Sequence, residues 1–112
     1  MALPRPARLR KERDIKNVFR RSRRREGNFL ILLIHQKQAL PGRATVVVPK
    51  KVSKSAVVRN GLRRMLVEWL RVDVGVQKQP IDCVVLVKPS LKSASKESIR
   101  AELANLRRTV FA

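Results

Sequence analysis

The segment from Ala44 to Trp69 constrains the fold more than any other part of the chain. Ala44-Thr45-Val46-Val47-Val48 is short and β-branched, the composition of a strand packed in a sheet. Pro49 stops it, because proline has no N–H to give to a ladder. Lys50-Lys51-Val52-Ser53-Lys54-Ser55 follows, and either Ser53 or Ser55 can cap a helix. Val58, Leu62, Met65, Leu66 and Trp69 then recur at helical spacing, so a helix expected over residues 55–72 buries one stripe.

The same segment is crowded with cations. Lys50, Lys51, Lys54, Arg59, Arg63 and Arg64 have no carboxylate among them. Arg59 and Arg63 are neighbours on the helix surface, as are Asn60 and Arg64. Like charges so placed oppose the helix by about 0.2–0.5 kcal/mol per pair, and Gly61 inside it costs about 1 kcal/mol relative to alanine. An anionic partner offsets the repulsion. The whole chain points the same way: 112 residues carry a formal charge of +19. Such a surface attracts polyanions, nucleic acid first among them, and most strongly at low salt. An acidic membrane surface is the weaker alternative, since no amphipathic lipid-insertion helix is evident. No run approaches the roughly 18 apolar residues of a membrane span. The basic N-terminus lacks the apolar stretch of a secretory signal. Cys83, the one cysteine, cannot form an internal disulfide and sits in an apolar run as a small core residue. A monomeric, cytoplasmic chain with one domain over residues 1–112 is the simplest expectation.

Taken in order, residues 1–7 hold Pro4 and Pro6 and read as a loose lead-in. A helix is expected from Lys11 to Ser22, with Ile15, Val18 and Phe19 as its apolar triplet. Arg20, Arg21, Arg23, Arg24 and Arg25 run past its end. Basic groups there complement the helix dipole, but five exceed what capping needs, so phosphate contacts are expected of them. Gly27-Asn28 breaks the pattern before Phe29–Ile34, a continuous apolar run that reads as a strand buried on both faces. Gln36–Gly42 is a loop, and the Ala44–Val48 strand is expected to pair antiparallel with Phe29–Ile34. Ile81–Val87 is a third strand, and Ile99, Leu103, Leu106 and Val110 mark a last helix. The order is α-β-β-α-β-α, an α+β two-layer helix/sheet sandwich, with a short extra strand near residues 22–28 as a hairpin arm.

Catalytic chemistry is hard to find in these residues. The eight acids are dispersed, whereas a metal-dependent nuclease needs carboxylates that converge on its ions. His35 is the only histidine, and a metal-free ribonuclease wants a pair of acid/base groups. Cys83 has no activating base beside it. No Gly-rich phosphate loop or zinc-ligand spacing is present. No catalytic residue and no protein metal site is therefore expected. Aromatic rings for stacking bases are scarce. Trp69 falls on the core stripe, which leaves Phe19 as the best candidate for an exposed ring.

Three strings are specific: Val48-Pro49-Lys50-Lys51-Val52, then Ala56-Val57-Val58-Arg59-Asn60, then Leu62-Arg63-Arg64. With Arg8-Leu9-Arg10-Lys11 through Asp14 and with Val18-Phe19, they resemble the bacterial ribonuclease P protein subunit over residues 8–111. The family's Arg-Asn-Arg motif is broken here, because Gly61 stands in place of its second arginine. The resemblance implies a mixed sheet of about four strands with a left-handed β-α-β crossover. It implies removal of the 5′ leader from tRNA precursors, with hydrolysis by an RNA subunit and Mg2+ held by that RNA and the substrate. Lys50, Lys51, Lys54, Arg59, Asn60, Arg63 and Arg64 would face the RNA subunit. Ile15, Phe19 and Leu32 would line a cleft for the single-stranded leader, with fewer aromatics than the family often has. The competing readings are a general RNA-binding or ribosome-associated module and, against the counts of acids and histidines, a stand-alone ribonuclease.

Overall fold

The arrangement of the sheet follows from which strands can tolerate apolar side chains on both faces. In the computed structural model, which describes residues 3–111, two strands meet that condition. They are β2 (Leu30–Gln36) and β4 (Ile81–Val87), and they lie side by side at the centre. The arginine-rich β1 (Arg23–Glu26) takes one edge and β3 (Arg43–Val47) the other, in the order β1-β2-β4-β3. β1 and β2 form an antiparallel hairpin, which is the expected extra strand. β2 pairs antiparallel with β4, and β4 pairs parallel with β3. The expected antiparallel pairing of β2 with β3 is thus wrong. β4 lies between them, because its nearly unbroken apolar run is stable only where both faces are covered.

Three helices complete the chain: α1 (Glu12–Arg21), α2 (Ala56–Glu68) and α3 (Lys96–Val110). Strand alternation sorts the core into two parts. Leu32, Ile34, Cys83 and Val85 pack on Leu66, Leu70 and Trp69 from α2 and its extension and on Leu106 from α3. Leu33 and Val84 point to the other face, against Val18 of α1 and Leu9. The α+β sandwich with a mixed four-stranded sheet stands, and α1 alone covers part of the second face.

Ser55 caps α2, its hydroxyl accepting from Val58 N at 3.3 Å, and Ser53 Oγ accepts from Ser55 N at 3.2 Å. Past Glu68 the chain widens into a π-helical segment, Trp69–Val74, where an unbroken α-helix is expected to residue 72. Gly75 ends it at φ 63°, a left-handed position that glycine occupies without strain. Trp69 is core, with its ring edge-on to Phe111 at 6.0 Å.

Residues 1 and 2 of the expected loose lead-in lie outside the described residues, and the remainder is packed. Leu3 and Ala7 are buried, and Leu9 N donates to Ala44 O at 3.0 Å. The segment is therefore bedded along the outer side of β3. A second long-range tie comes from Glu102 of α3, whose carboxylate accepts from the N–H groups of Asn28, Phe29 and Leu30 at 2.6–3.0 Å. A Cβ on Gly27 would lie 2.6 Å from that carboxylate and would displace it from the three N–H groups.

Candidate nucleic-acid interface

β3 delivers the chain to its basic loop. Lys50, Lys51 and Lys54 are exposed beyond its end, and Val52 and Ser53 are buried, so the loop is anchored while its ammonium groups face water. Arg59 has a second task. Its Nη1 donates to the carbonyls of Ser53 at 2.8 Å and Lys54 at 3.0 Å, holding the loop against the first turn of α2. Arg63 Nη1 donates to Asn60 Oδ1 at 2.6 Å, which aims its guanidinium, and Arg64 is exposed. Among the described residues none of these six cations forms an ion pair with a carboxylate. Gly61 lies on the exposed side of α2, and a Cβ there would meet nothing within 4 Å.

The face under α1 carries the second group. Ile31, Leu86 and Val47 stand opposite one another across β2, β4 and β3. Ile31 and Leu86 are half-buried and Val47 is 37% exposed, so this rank is only partly covered. Ile15 packs against the same cluster, and Phe19, one turn further along α1, is 51% exposed. Leu32 is a correction. It is 0% exposed and belongs to the opposite face, under α2 and α3. One position decides this: neighbouring residues of a strand point to opposite sides. Ile31 and Leu86, which sequence reasoning missed, occupy the place given to Leu32.

The arginine run does not form one patch. Arg20 and Arg21 end α1, where they face the helix C-terminus. In β1, Arg24 pairs across from Leu33 and so shares the α1 face, whereas Arg23 and Arg25 share the face of Ile34 and Leu32. Arg24 is partly neutralised by Glu26 at 2.8 Å, and Lys88 Nζ reaches the same carboxylate at 2.5 Å. Hydrogen bonds from Lys88 and then Arg24 hold the Glu26 carboxyl below its usual value.

Comparison with known proteins decides the family. The family model described as Ribonuclease P matches residues 3–110. The ribonuclease P protein component of Synechococcus sp. (strain JA-2-3B'a(2-13)) is 36% identical, over 93% of this chain and 81% of its own. That of Synechocystis sp. (strain ATCC 27184 / PCC 6803 / Kazusa) is 32% identical, over 95% and 86%. The solved ribonuclease P protein from Thermotoga maritima superposes with a TM-score of 0.78 at 26% identity, covering 94% of this chain and 98% of that one. This chain belongs to the ribonuclease P protein family.

A ribonuclease P protein is part of an endoribonuclease. Among the described residues no three His, Cys, Asp or Glu side chains gather where they could hold a metal ion. The Cys83 thiol is wholly buried, and burial pushes its pKa up to about 12, so it stays protonated. His35 and Asp82 share a rank of the sheet, but Asp82 is engaged elsewhere. Arg43 grips it with Nε at 3.0 Å and Nη2 at 2.7 Å, and Lys37 adds a contact at 3.0 Å. Arg43 Nη1 also reaches Asp14 of α1 at 3.1 Å, so this network fixes α1 over the sheet. Burial pushes the Asp82 carboxyl up, but the hydrogen bonds from Arg43 and Lys37 outweigh it and leave its pKa below the usual value. Asp82, with His35 beside it in the sheet, is thereby committed to structure.

Proposed function

We propose that this ribonuclease P protein acts by lending charge and a groove to an active site made of RNA. Lys50, Lys51, Lys54, Arg63 and Arg64 face the RNA subunit, with Arg59 and Asn60 fixing the loop and aiming Arg63. The single-stranded 5′ leader of precursor tRNA lies along Ile15, Phe19, Ile31 and Leu86. With few aromatic rings available, leader contact is mainly apolar, backed by exposed cations such as Arg20 and Arg21 on the neighbouring phosphates. Hydrolysis belongs to Mg2+ held by the RNA subunit and the substrate. The polypeptide lowers the repulsion between the two RNAs and favours ion binding at that site. The working compartment is the cytoplasm.

One observation carries this reading. A cluster of cations with no carboxylate partner begins within a few residues of Val47, the exposed end of the partly covered rank. Two RNA segments can thus meet at one end of the sheet. Reconstitution tests it. The purified chain is expected not to cleave a tRNA precursor by itself. It should let a bacterial ribonuclease P RNA cleave that precursor at a low Mg2+ concentration where the RNA alone is slow. Cleavage by protein alone that persists through repurification would overturn the assignment of chemistry to RNA. Indifference of the RNA's activity to the protein would instead favour a general RNA-binding module.

A further inference from the structure

A second cationic feature lies at the other end of β3 and was not among the expected site residues. The packed N-terminal segment, the start of α1 and the start of β3 enclose an open cleft of about 560 Å³. Arg5, Arg8, Arg10, Lys11 and Arg43 line it, and Asp14 is its carboxylate. Asp14 is already engaged, because Arg43 Nη1 binds it at 3.1 Å while Asp82 takes the other side of the same guanidinium. Arg43 is therefore a neutralised floor. Arg8 Nε donates to Leu3 O at 2.8 Å, which fixes that side chain across the segment. Arg5, Arg10 and Lys11 are exposed, and among the described residues they make no ion pair and no side-chain hydrogen bond.

We infer that this cleft is a second phosphate-binding site, for the backbone of the RNA subunit. Guanidinium groups present planar forks that match phosphate oxygens. The segment that carries them is rigidly seated, with Leu3, Ala7 and Leu9 buried and Leu9 N bonded to Ala44 O, so little order is lost on binding. Apart from Pro6 the lining side chains are charged, with no large apolar group to insert into lipid. The choice of RNA rests on the proposed docking of the Lys50–Lys54 loop. The two cationic groups lie beyond opposite ends of β3, an edge strand about 15 Å long at the usual strand rise. A structured RNA spans that distance with phosphates at both ends, whereas the leader lies along the rank beyond α1.

The test is the salt dependence of RNA-subunit affinity for three triple variants of the full chain. Each replaces three exposed cations with glutamine: Arg5, Arg10 and Lys11 in the cleft, Lys50, Lys51 and Lys54 in the loop, or Lys92, Lys96 and Arg100 as a control. Thermal melting confirms that each is folded. The cleft variant should lower the log–log salt slope by about two to three, near one per lost phosphate contact, and the control by far less. An unchanged slope for the cleft variant overturns the inference. So does an equal fall in cleft and control variants, which would report net charge alone. So does a loss confined to precursor tRNA binding by the assembled enzyme. If the loop variant lowers the slope and the cleft variant does not, the inference fails while the docking of the loop stands. If neither does, both fail.

Discussion

At the scale of the residue, Arg59 is a fastener that also carries charge. Its two bonds to the carbonyls of Ser53 and Lys54 mean that its removal loosens the loop as well as deleting a charge. Gly61 offers a cleaner experiment. Nothing lies within 4 Å of where its Cβ would be, so Gly61→Arg needs no rearrangement. The variant should gain about 0.5 kcal/mol of stability in chemical denaturation, relief of the helix-interior glycine being partly offset by repulsion from Arg64 three residues on. Its RNA-subunit salt slope should steepen by about one if the new guanidinium meets a phosphate. Asp82 makes a prediction about pH. Its folded pKa lies below the usual value, so the unfolded chain binds a proton more readily. The stabilisation from its bonds to Arg43 and Lys37 is complete above the unfolded value of about 3.9 and is lost as pH falls through the lower folded value. Asp82→Asn should therefore cost about 2 kcal/mol at neutral pH, and its stability should vary less in acid than that of the parent. Thermal melts across the acid range would read both effects.

At the scale of the element, the local signals in the sequence held and the non-local ones did not. α1 and α3 lie where their apolar spacing put them, α2 begins as expected but turns π-helical after Glu68, and Ser55 and Ser95 cap α2 and α3. β4 spans the expected Ile81–Val87. β1, three arginines and a glutamate, carries no apolar pattern of its own, and the hairpin arm expected near residues 22–28 rested on the four-stranded sheet that the family resemblance implies. Pairing was less legible. β2 and β3 are consecutive apolar runs, and nothing local states that a strand from far along the chain comes between them. The choice of Leu32 over Ile31 failed for a related reason. A run apolar at every position carries no period from which to tell its faces apart. The two residues should now separate by experiment. Leu32→Ala should destabilise the fold by about 2–5 kcal/mol, as truncation of a buried leucine does. Ile31→Ser should cost less stability but weaken the assembled enzyme's preference for precursor over leaderless tRNA. Equal effects of the two on that preference would remove Ile31 from the leader groove.

At the scale of the whole molecule, charge was legible and its distribution was not. A formal charge of +19 announces a polyanion partner from composition alone. It does not reveal that Glu102 is used to close the β1–β2 turn, or that Asp14 and Asp82 are used to seat α1. These three hold the fold together and Glu26 pairs with Arg24 and Lys88, and among the described residues no carboxylate pairs with the cations of the loop before α2 or with Arg5, Arg10 and Lys11 of the N-terminal cleft. Lone Cys83 adds a practical consequence. Its thiol is wholly buried and held protonated, so alkylating reagents in mild buffer should pass it by. A cysteine introduced at the open position 61 would then be the sole reactive handle, and a fluorophore placed there would report, in real time, whether α2 comes to rest on RNA.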